Sequence, residues 1–368
     1  MRQETRTAVI DPSYQAALDR LKPHRILLVG GAGFIGHNLA LELGRHGQSV
    51  MVADNLMVNN LVQNVSSAQM APVQRRLYQN FLLDRFILMR DGGVNFRNVD
   101  ARNSIEIARV FDEFQPTKIV HLAAIASAVE ARKDPGLAFD LQLVTFRNVL
   151  EQARLSHGRV NQVMFMSSST VYGDFEGAEV DEMTRPQPEG IYANGKYMGE
   201  RLARTYATQH NVPSIIVRPS ALYGERCVSR RVSQVFVENA LSGKPLLLEG
   251  GGDGRLDFTY IKDLVDGMVR GLAIDCQAGY TNTYNLTYGN ARTVADLAAV
   301  VKSVVPEAKL EERPRAADKP IRGTLSTQRA AQELGFRAAW PLETGYRRYC
   351  EWYVAEWRKA EAQCRSAS

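Results

Sequence analysis

Cysteine is scarce in this 368-residue chain: Cys227, Cys276, Cys350 and Cys364 are widely spaced, and no two form a C-x-x-C pair. Neither a disulfide framework nor a structural zinc site is expected from that spacing. No apolar stretch reaches the roughly 18 uninterrupted residues that a membrane-spanning helix needs. The segment Met1–Lys22 mixes charge throughout and has no apolar core of a secretory signal, so a cytoplasmic location is expected, with no membrane partner. The six histidines are scattered, with no H-E-x-x-H, and G-x-S-x-G is also missing. Metal-dependent and serine-hydrolase chemistry therefore have no foothold. Basic residues do not gather into one stripe. Arg75-Arg76, Arg230-Arg231 and Arg347-Arg348 are isolated pairs in mixed-charge surroundings. The net charge of +5 thus argues for a phosphate-bearing ligand as well as it does for nucleic acid, which is not expected as a partner. With 45% hydrophobic residues the chain has enough apolar material to fold into one large domain or two smaller ones.

What is present is a rhythm. Short apolar runs at Arg25–Val29, Ser49–Ala53, Val94–Val99, Lys118–Leu122, Gln162–Met166 and Ser214–Val217 alternate with helical patterns. The helical patterns run through Phe34, Ile35, Leu39 and Leu43, then over Ile105–Phe114, Leu137–Leu155 and Tyr192–Gln209. Strand and helix alternating at this spacing predict crossover units: an α/β fold with a doubly wound parallel sheet covered on both faces. Gln74–Arg90 is expected to be an extra amphipathic helix in the long connection from Asp54 to Asp100. After Pro219 the alternation is interrupted by Gly250–Gly254, Glu311–Pro320 and the aromatic-rich Trp340–Trp357, which predicts a smaller C-terminal domain covering the substrate.

Gly30-Gly31-Ala32-Gly33-Phe34-Ile35-Gly36 ends the first strand and opens the first helix. It satisfies G-x-G-x-x-G from Gly31. Glycines permit a tight turn and close backbone approach, and the helix N-terminus offers free N–H groups to a pyrophosphate. A glycine turn alone is often only structural. Here the flanking strand and helix are right, and the second strand ends at Asp54, where a carboxylate can accept from ribose hydroxyls and repel a 2′-phosphate. NAD is expected rather than NADP.

Tyr192 and Lys196 stand four residues apart at the start of a predicted helix, on one face. Such a pair is common on solvated helices. It gains weight from Met166-Ser167-Ser168-Ser169-Thr170-Val171-Tyr172-Gly173, which brings a hydroxyl to the C-terminal end of a strand, where ligands of open α/β sheets bind. A free tyrosine, with a pKa of about 10, is a poor base at neutrality. A nearby ammonium can lower that value.

GGAGFIG, VADN, HLAA, SSSTVYGD, YANGK, RPSALYG and LDFTYIKDLV occur in this order. Together they resemble the extended short-chain dehydrogenase/reductases, and among these the NAD-dependent epimerase/dehydratase family, over roughly Arg25 to Tyr353. The resemblance implies a Rossmann domain over 23–220 with a returning segment 259–288. A substrate-binding domain would comprise 221–258 and 289–360, with 1–22 as an N-terminal extension. It implies a triad of Ser168, Tyr192 and Lys196. Gly30, Gly33, Phe34 and Ile35 would hold the pyrophosphate of NAD, Asp54 and Asn55 the adenosine ribose, and Asp100 and Ala101 the adenine. Leu122, Ala123 and Ala124 would line the cofactor, with Tyr192, Lys196, Pro219 and Ser220 near the nicotinamide. It also implies a homodimer built on the helices Leu137–Leu155 and Tyr192–Gln209, the second of which carries Tyr197, Met198, Leu202 and Tyr206.

Dehydrating members of this family carry T-D-E before V-Y-G, and decarboxylating ones keep a glutamate there. Here Ser169 and Thr170 occupy those places, and neither titrates near neutrality. The pattern is similar to UDP-galactose and UDP-glucuronate 4-epimerases, which oxidise and reduce C4 through a transient 4-keto sugar. A UDP-sugar is the expected substrate, touched by Ser168, Ser169 and Tyr192. A 4-keto reductase or 4-dehydrogenase would use the same triad. A 4,6-dehydratase, a decarboxylase and a redox-sensing regulator fit less well. Three departures stand out: Ala221 in place of an asparagine, Leu256 in place of an arginine before D-F, and Gln142 where an asparagine is common. A repositioned phosphate clamp follows, with Arg231, Arg255 and Arg313 as candidates.

Overall fold

The computed structural model describes residues 11–58, 70–125, 127–315 and 320–366. Its centre is a sheet of seven parallel strands: β1 (Arg25–Val29), β2 (Ser49–Asp54), β3 (Asn95–Asn98), β4 (Lys118–His121), β5 (Gln162–Met166), β6 (Ser214–Arg218) and β7 (Thr281–Asn285). Their order across the sheet is β7-β6-β5-β4-β1-β2-β3. Leu28 lies opposite Val52 on one side and Val120 on the other. The order reverses between β1 and β4, which opens a crevice at the carboxyl ends of the strands.

Alternation along the strands makes two cores. Leu27, Val29, Met51, Ile119, Val163, Phe165 and Ile216 face helices α4 (Ser104–Phe114), α5 (Thr145–Leu155) and α6 (Gly190–His210). Their neighbours Ile26, Leu28, Val50, Val52, Val120, Met164, Ile215 and Val217 face the opposite core. That core takes in α1 (Pro12–Leu21), α2 (Phe34–Arg45), α3 (Pro72–Asp91) and α8 (Ile261–Leu272). It continues into α7 (Val232–Leu241), α9 (Val294–Val304) and α10 (Leu342–Ser366).

The helix expected over Leu137–Leu155 is interrupted. A short helix, Pro135–Phe139, runs into a π turn at Asp140–Val144 before α5 begins. The turn faces α6, where the amide of Gln142 needs room. The extra helix α3 fills the space between α2 and α10: Phe81 stacks on Trp352 at 4.9 Å. Beside that stack, the buried Glu238 of α7 accepts from the hydroxyls of Tyr78 (2.5 Å) and Tyr353 (2.6 Å) and from Gln234 Nε2 (2.8 Å). A buried carboxylate is tolerated only with such donors around it. Asp11 caps α1 and pairs at 2.8 Å with Arg270 of α8, which ties the N-terminal segment to the sheet's helical cover. No helix among the described residues is long and apolar enough to cross a membrane.

Candidate active site

A cleft runs along the carboxyl edge of the sheet. At one end is the glycine turn. Gly30 has φ +78°, and a Cβ there would overlap the backbone of Ala123. Gly36 is equally constrained, since its Cβ would run into Gly31. Gly33 caps α2 with no side-chain hydrogen bond, so the first-turn N–H groups are free for an anion. These are the conditions a dinucleotide pyrophosphate requires, and the cradle fits one.

Asp54 closes β2. Its Oδ2 accepts from Ala32 N at 2.9 Å and its Oδ1 from Leu56 N at 2.7 Å, while burial raises its pKa. The carboxylate therefore braces the turn as well as facing the cleft. Asn55 Oδ1 accepts from Met57 N at 3.0 Å. Asp100, after β3, pairs with Arg102 at 2.6 Å, and that guanidinium lowers its pKa. Beneath the turn, Arg85 of α3 is fully buried and donates to Ala32 O (3.2 Å) and Arg226 O (2.5 Å).

At the centre are the three residues expected to react. Ser168 is extended and caps a short 3-10 turn, Ser169–Tyr172, accepting from Thr170 N at 3.2 Å and from Thr170 Oγ1 at 3.0 Å. Tyr192 lies in the first turn of α6, packed against the cluster of Ile125, Ala131, Ala138 and Leu141. One turn further, Lys196 is buried and donates to Met166 O at 2.8 Å. Burial with no paired carboxylate lowers its pKa from 10.5 to about 8. Another turn on, Glu200 holds α6 against β6 through Arg218 (2.6 Å) and receives Ser167 Oγ (2.6 Å).

The structure brings nearly all the residues named from the sequence to this one cleft. Gly30, Gly33, Phe34, Ile35, Asp54, Asn55, Asp100, Ala101, Leu122, Ala123, Ala124, Ser168, Ser169, Tyr192, Lys196, Pro219, Ser220 and Arg231 all line it. Arg255 and Arg313 do not. Arg255 lies in a two-residue strand and reaches Ala291 O at 3.5 Å. Arg313 sits on the fully exposed strand Leu310–Arg313 and pairs with Glu311 at 2.8 Å. Leu256 lines the cleft at the position where the resemblance implied an arginine. The residue missed from the sequence is Arg322, which also lines the cleft. No motif surrounds it, and the turn it contacts lies 149 residues earlier in the chain.

Residues 26–286 match the NAD dependent epimerase/dehydratase family. The chain is 26% identical over 358 residues to the dTDP-glucose 4,6-dehydratase of Salmonella typhimurium, covering 90% of this chain and 93% of that protein. It is 27% identical over 350 residues to UDP-glucuronate 4-epimerase 1 of Arabidopsis thaliana, covering 90% and 76%. Among solved structures, the UDP-glucose 4-epimerase of Thermus thermophilus in complex with NAD superposes with a TM-score of 0.73 at 26% identity, covering 91% of this chain and 99% of that one. The UDP-glucuronic acid 4-epimerase of Bacillus cereus shares the fold, with a TM-score of 0.76 at 22% identity and coverage of 90% and 99%. Both the length of the match and the glycine cradle lead to one conclusion: the chain is an enzyme of the NAD-dependent epimerase/dehydratase family, within the extended short-chain dehydrogenase/reductases.

Proposed function

We propose that the protein is a nucleotide-sugar 4-epimerase, acting on a UDP-hexose or UDP-hexuronate through a transient 4-keto sugar. Identity does not choose between the dehydratase and epimerase relatives, which match equally well. The observation that carries the reading is the distribution of acids in the cleft. Among the described lining residues these are Asp54 and Asp100 alone, at the ends of β2 and β3, while hydroxyls stand beside Ser168 at 169 and 170. Eliminating water across C5 and C6 needs groups that trade protons near neutrality, and a hydroxyl does not.

In this reading Tyr192, as phenolate, removes the proton of the 4-hydroxyl and later returns it. Lys196 stabilises that phenolate by its charge, and Ser168 donates to the 4-oxygen. The glycine cradle and Asp54 would hold NAD, which when bound would supply the hydride acceptor and donor for C4. Ser168, Tyr192 and Lys196 come from three adjoining places, the end of β5 and two successive turns of α6, and Lys196 is locked by Met166 O. Fixed positions of this kind are what proton transfer rewards.

Proton NMR of the purified enzyme with UDP-galactose or UDP-glucuronate tests the reading. Interconversion of the 4-epimers is expected without added reductant. A 6-deoxy-4-keto product would instead identify a dehydratase, and turnover only with added NADH a reductase. Tyr192→Phe is expected to retain NAD and to lose about a hundredfold or more in turnover.

A further inference from the structure

The charged side chains along the cleft are five among the described residues: Asp54, Asp100, Lys196, Arg231 and Arg322. The family's chemistry accounts for the first three. Arg231 heads α7 and is the cleft's candidate for the substrate diphosphate. Arg322 is left over, a half-buried cation that faces the cleft. It donates to Gly173 O and lies 5.7 Å from the centre of the Phe175 ring. It has no ion pair among the described residues, and burial lowers its pKa. Asp174 and Glu189 are near enough to favour its charge, yet Asp174 is already engaged by Ile321 N at 2.8 Å. A guanidinium has five N–H donors in a fixed fork, and a partly desolvated one facing a cavity favours an anion there.

The location says which anion. Gly173 ends the turn that begins at Ser168, and Glu189 caps α6 three residues before Tyr192. Arg322 is thereby placed beside both elements that carry the hydroxyls assigned to the sugar's 4-oxygen. In a pyranose, C4 and C1 are opposite corners of the ring, and the diphosphate hangs from C1. A cation beside the C4 end meets the substituent on C5 instead. In a hexose that substituent is a neutral hydroxymethyl group. In a hexuronate it is a carboxylate, with the planar, two-oxygen geometry that an arginine fork matches.

We propose that Arg322, with the hydroxyl of Ser169, forms a carboxylate subsite, and that the substrate is a nucleoside-diphosphate hexuronate rather than a neutral hexose. This rests on the assignment of Ser168 and Tyr192 to the 4-oxygen given above, but not on the outcome at C4. The test is calorimetric titration of the NAD-loaded enzyme with UDP-glucuronate, UDP-glucose and UDP. The wild type should bind UDP-glucuronate most tightly. Arg322→Gln should weaken UDP-glucuronate by about 30-fold or more, and by at least tenfold more than it weakens UDP-glucose or UDP. Arg322→Lys should recover part of the loss. Ser169→Ala, which leaves the Gly173 anchor in place, should shift the same ligand in the same direction by less. Equal losses on all three ligands, or wild-type binding of UDP-glucose as tight as that of UDP-glucuronate, would overturn the subsite. If UDP-glucuronate binds through Arg322 but is not epimerised, the 4-epimerase assignment fails while the subsite stands.

Discussion

The side-chain amide of Gln142 occupies the space that any side chain at Gly195 would need: a Cβ at residue 195 would overlap Gln142 Oε1. The same amide reaches Tyr192 O through Nε2 at 3.5 Å, and its Oε1 is buried with no partner among the described residues. The π turn at Asp140–Val144 and the first turns of α6 are thus fitted to one another across the helix that carries Tyr192 and Lys196. Gly195→Ala should force the two apart. Overpacking of this kind costs about 1–3 kcal/mol, and here it should act on the catalytic geometry, lowering kcat by about tenfold or more. Gln142→Ala together with Gly195→Ala should recover part of both losses, and a double variant no better than Gly195→Ala alone would refute the fit.

Lys196 is a buried charge, and its titration gives that a sign. The unfolded chain keeps the proton up to about 10.5, whereas the folded one releases it at about 8. Below pH 8 both states are protonated and the folded state carries the full cost of burial. Between about 8 and 10.5 the unfolded chain binds more protons, so this group's contribution to stability rises with pH. Lys196→Met should therefore raise the melting temperature of the NAD-free protein at pH 7, by an amount worth about 3 kcal/mol at most, and by much less at pH 10. It should abolish turnover. A gain that does not depend on pH would show that the charge is not what the substitution removes.

Much of this site could be read from the sequence because its parts are local. The glycine turn, Asp54 at the end of β2 and the Tyr192–Lys196 spacing each depend on a few adjacent residues and one element type. Arginines are harder, because charge does not say which way a strand faces. Arg313 lies on a strand exposed along its length, and Arg255 turns towards Ala291 O, so two of three candidate clamps miss the cleft. Arg322 reaches it through Gly173, and Arg85 braces Ala32 across 53 residues of chain. Contacts at such separations are made by the topology, and no local pattern announces them.

Glu200 and Arg218 form a buried pair, with Arg218 Nε and Nη2 at 2.8 and 2.6 Å from the carboxylate. The pair fastens α6 to β6 while Ser167, next to Ser168, donates to the same carboxylate at 2.6 Å. Glu200→Gln leaves a guanidinium buried without its counter-charge, which typically costs about 3–5 kcal/mol. Chemical denaturation should register that loss. An unchanged midpoint would mean that the pair contributes nothing to the fold.

Asp54 combines two tasks, bracing the turn through Ala32 N and Leu56 N and presenting negative charge to the cleft. Asp54→Asn keeps an acceptor and removes the charge. Titration of the apoprotein should show wild-type preference for NAD over NADP, and the variant should narrow it by about tenfold through the lost repulsion of a 2′-phosphate. Tighter binding of NADP by the wild type would refute this role for the carboxylate.

Assembly follows from what α5 and α6 leave uncovered. Of the apolar residues singled out on α6, Tyr197, Leu202 and Tyr206 pack partly against the chain's own cores, while Met198 stays 43% exposed. Leu155 of α5 is exposed as well, as are Val129 and Phe139 on the short helices that pack on α6. Large apolar side chains are thus exposed on four helical segments, and a partner's matching face would cover them. An isologous pairing of two such faces is the commonest closed assembly, and it would brace the helix of Tyr192 and Lys196 from outside. Sedimentation equilibrium at micromolar concentration should therefore give twice the 41.0 kDa chain mass. Met198→Glu combined with Leu155→Glu places like charges in that face and should shift the protein to the monomer. A wild type that sediments at the single-chain mass would refute the dimer.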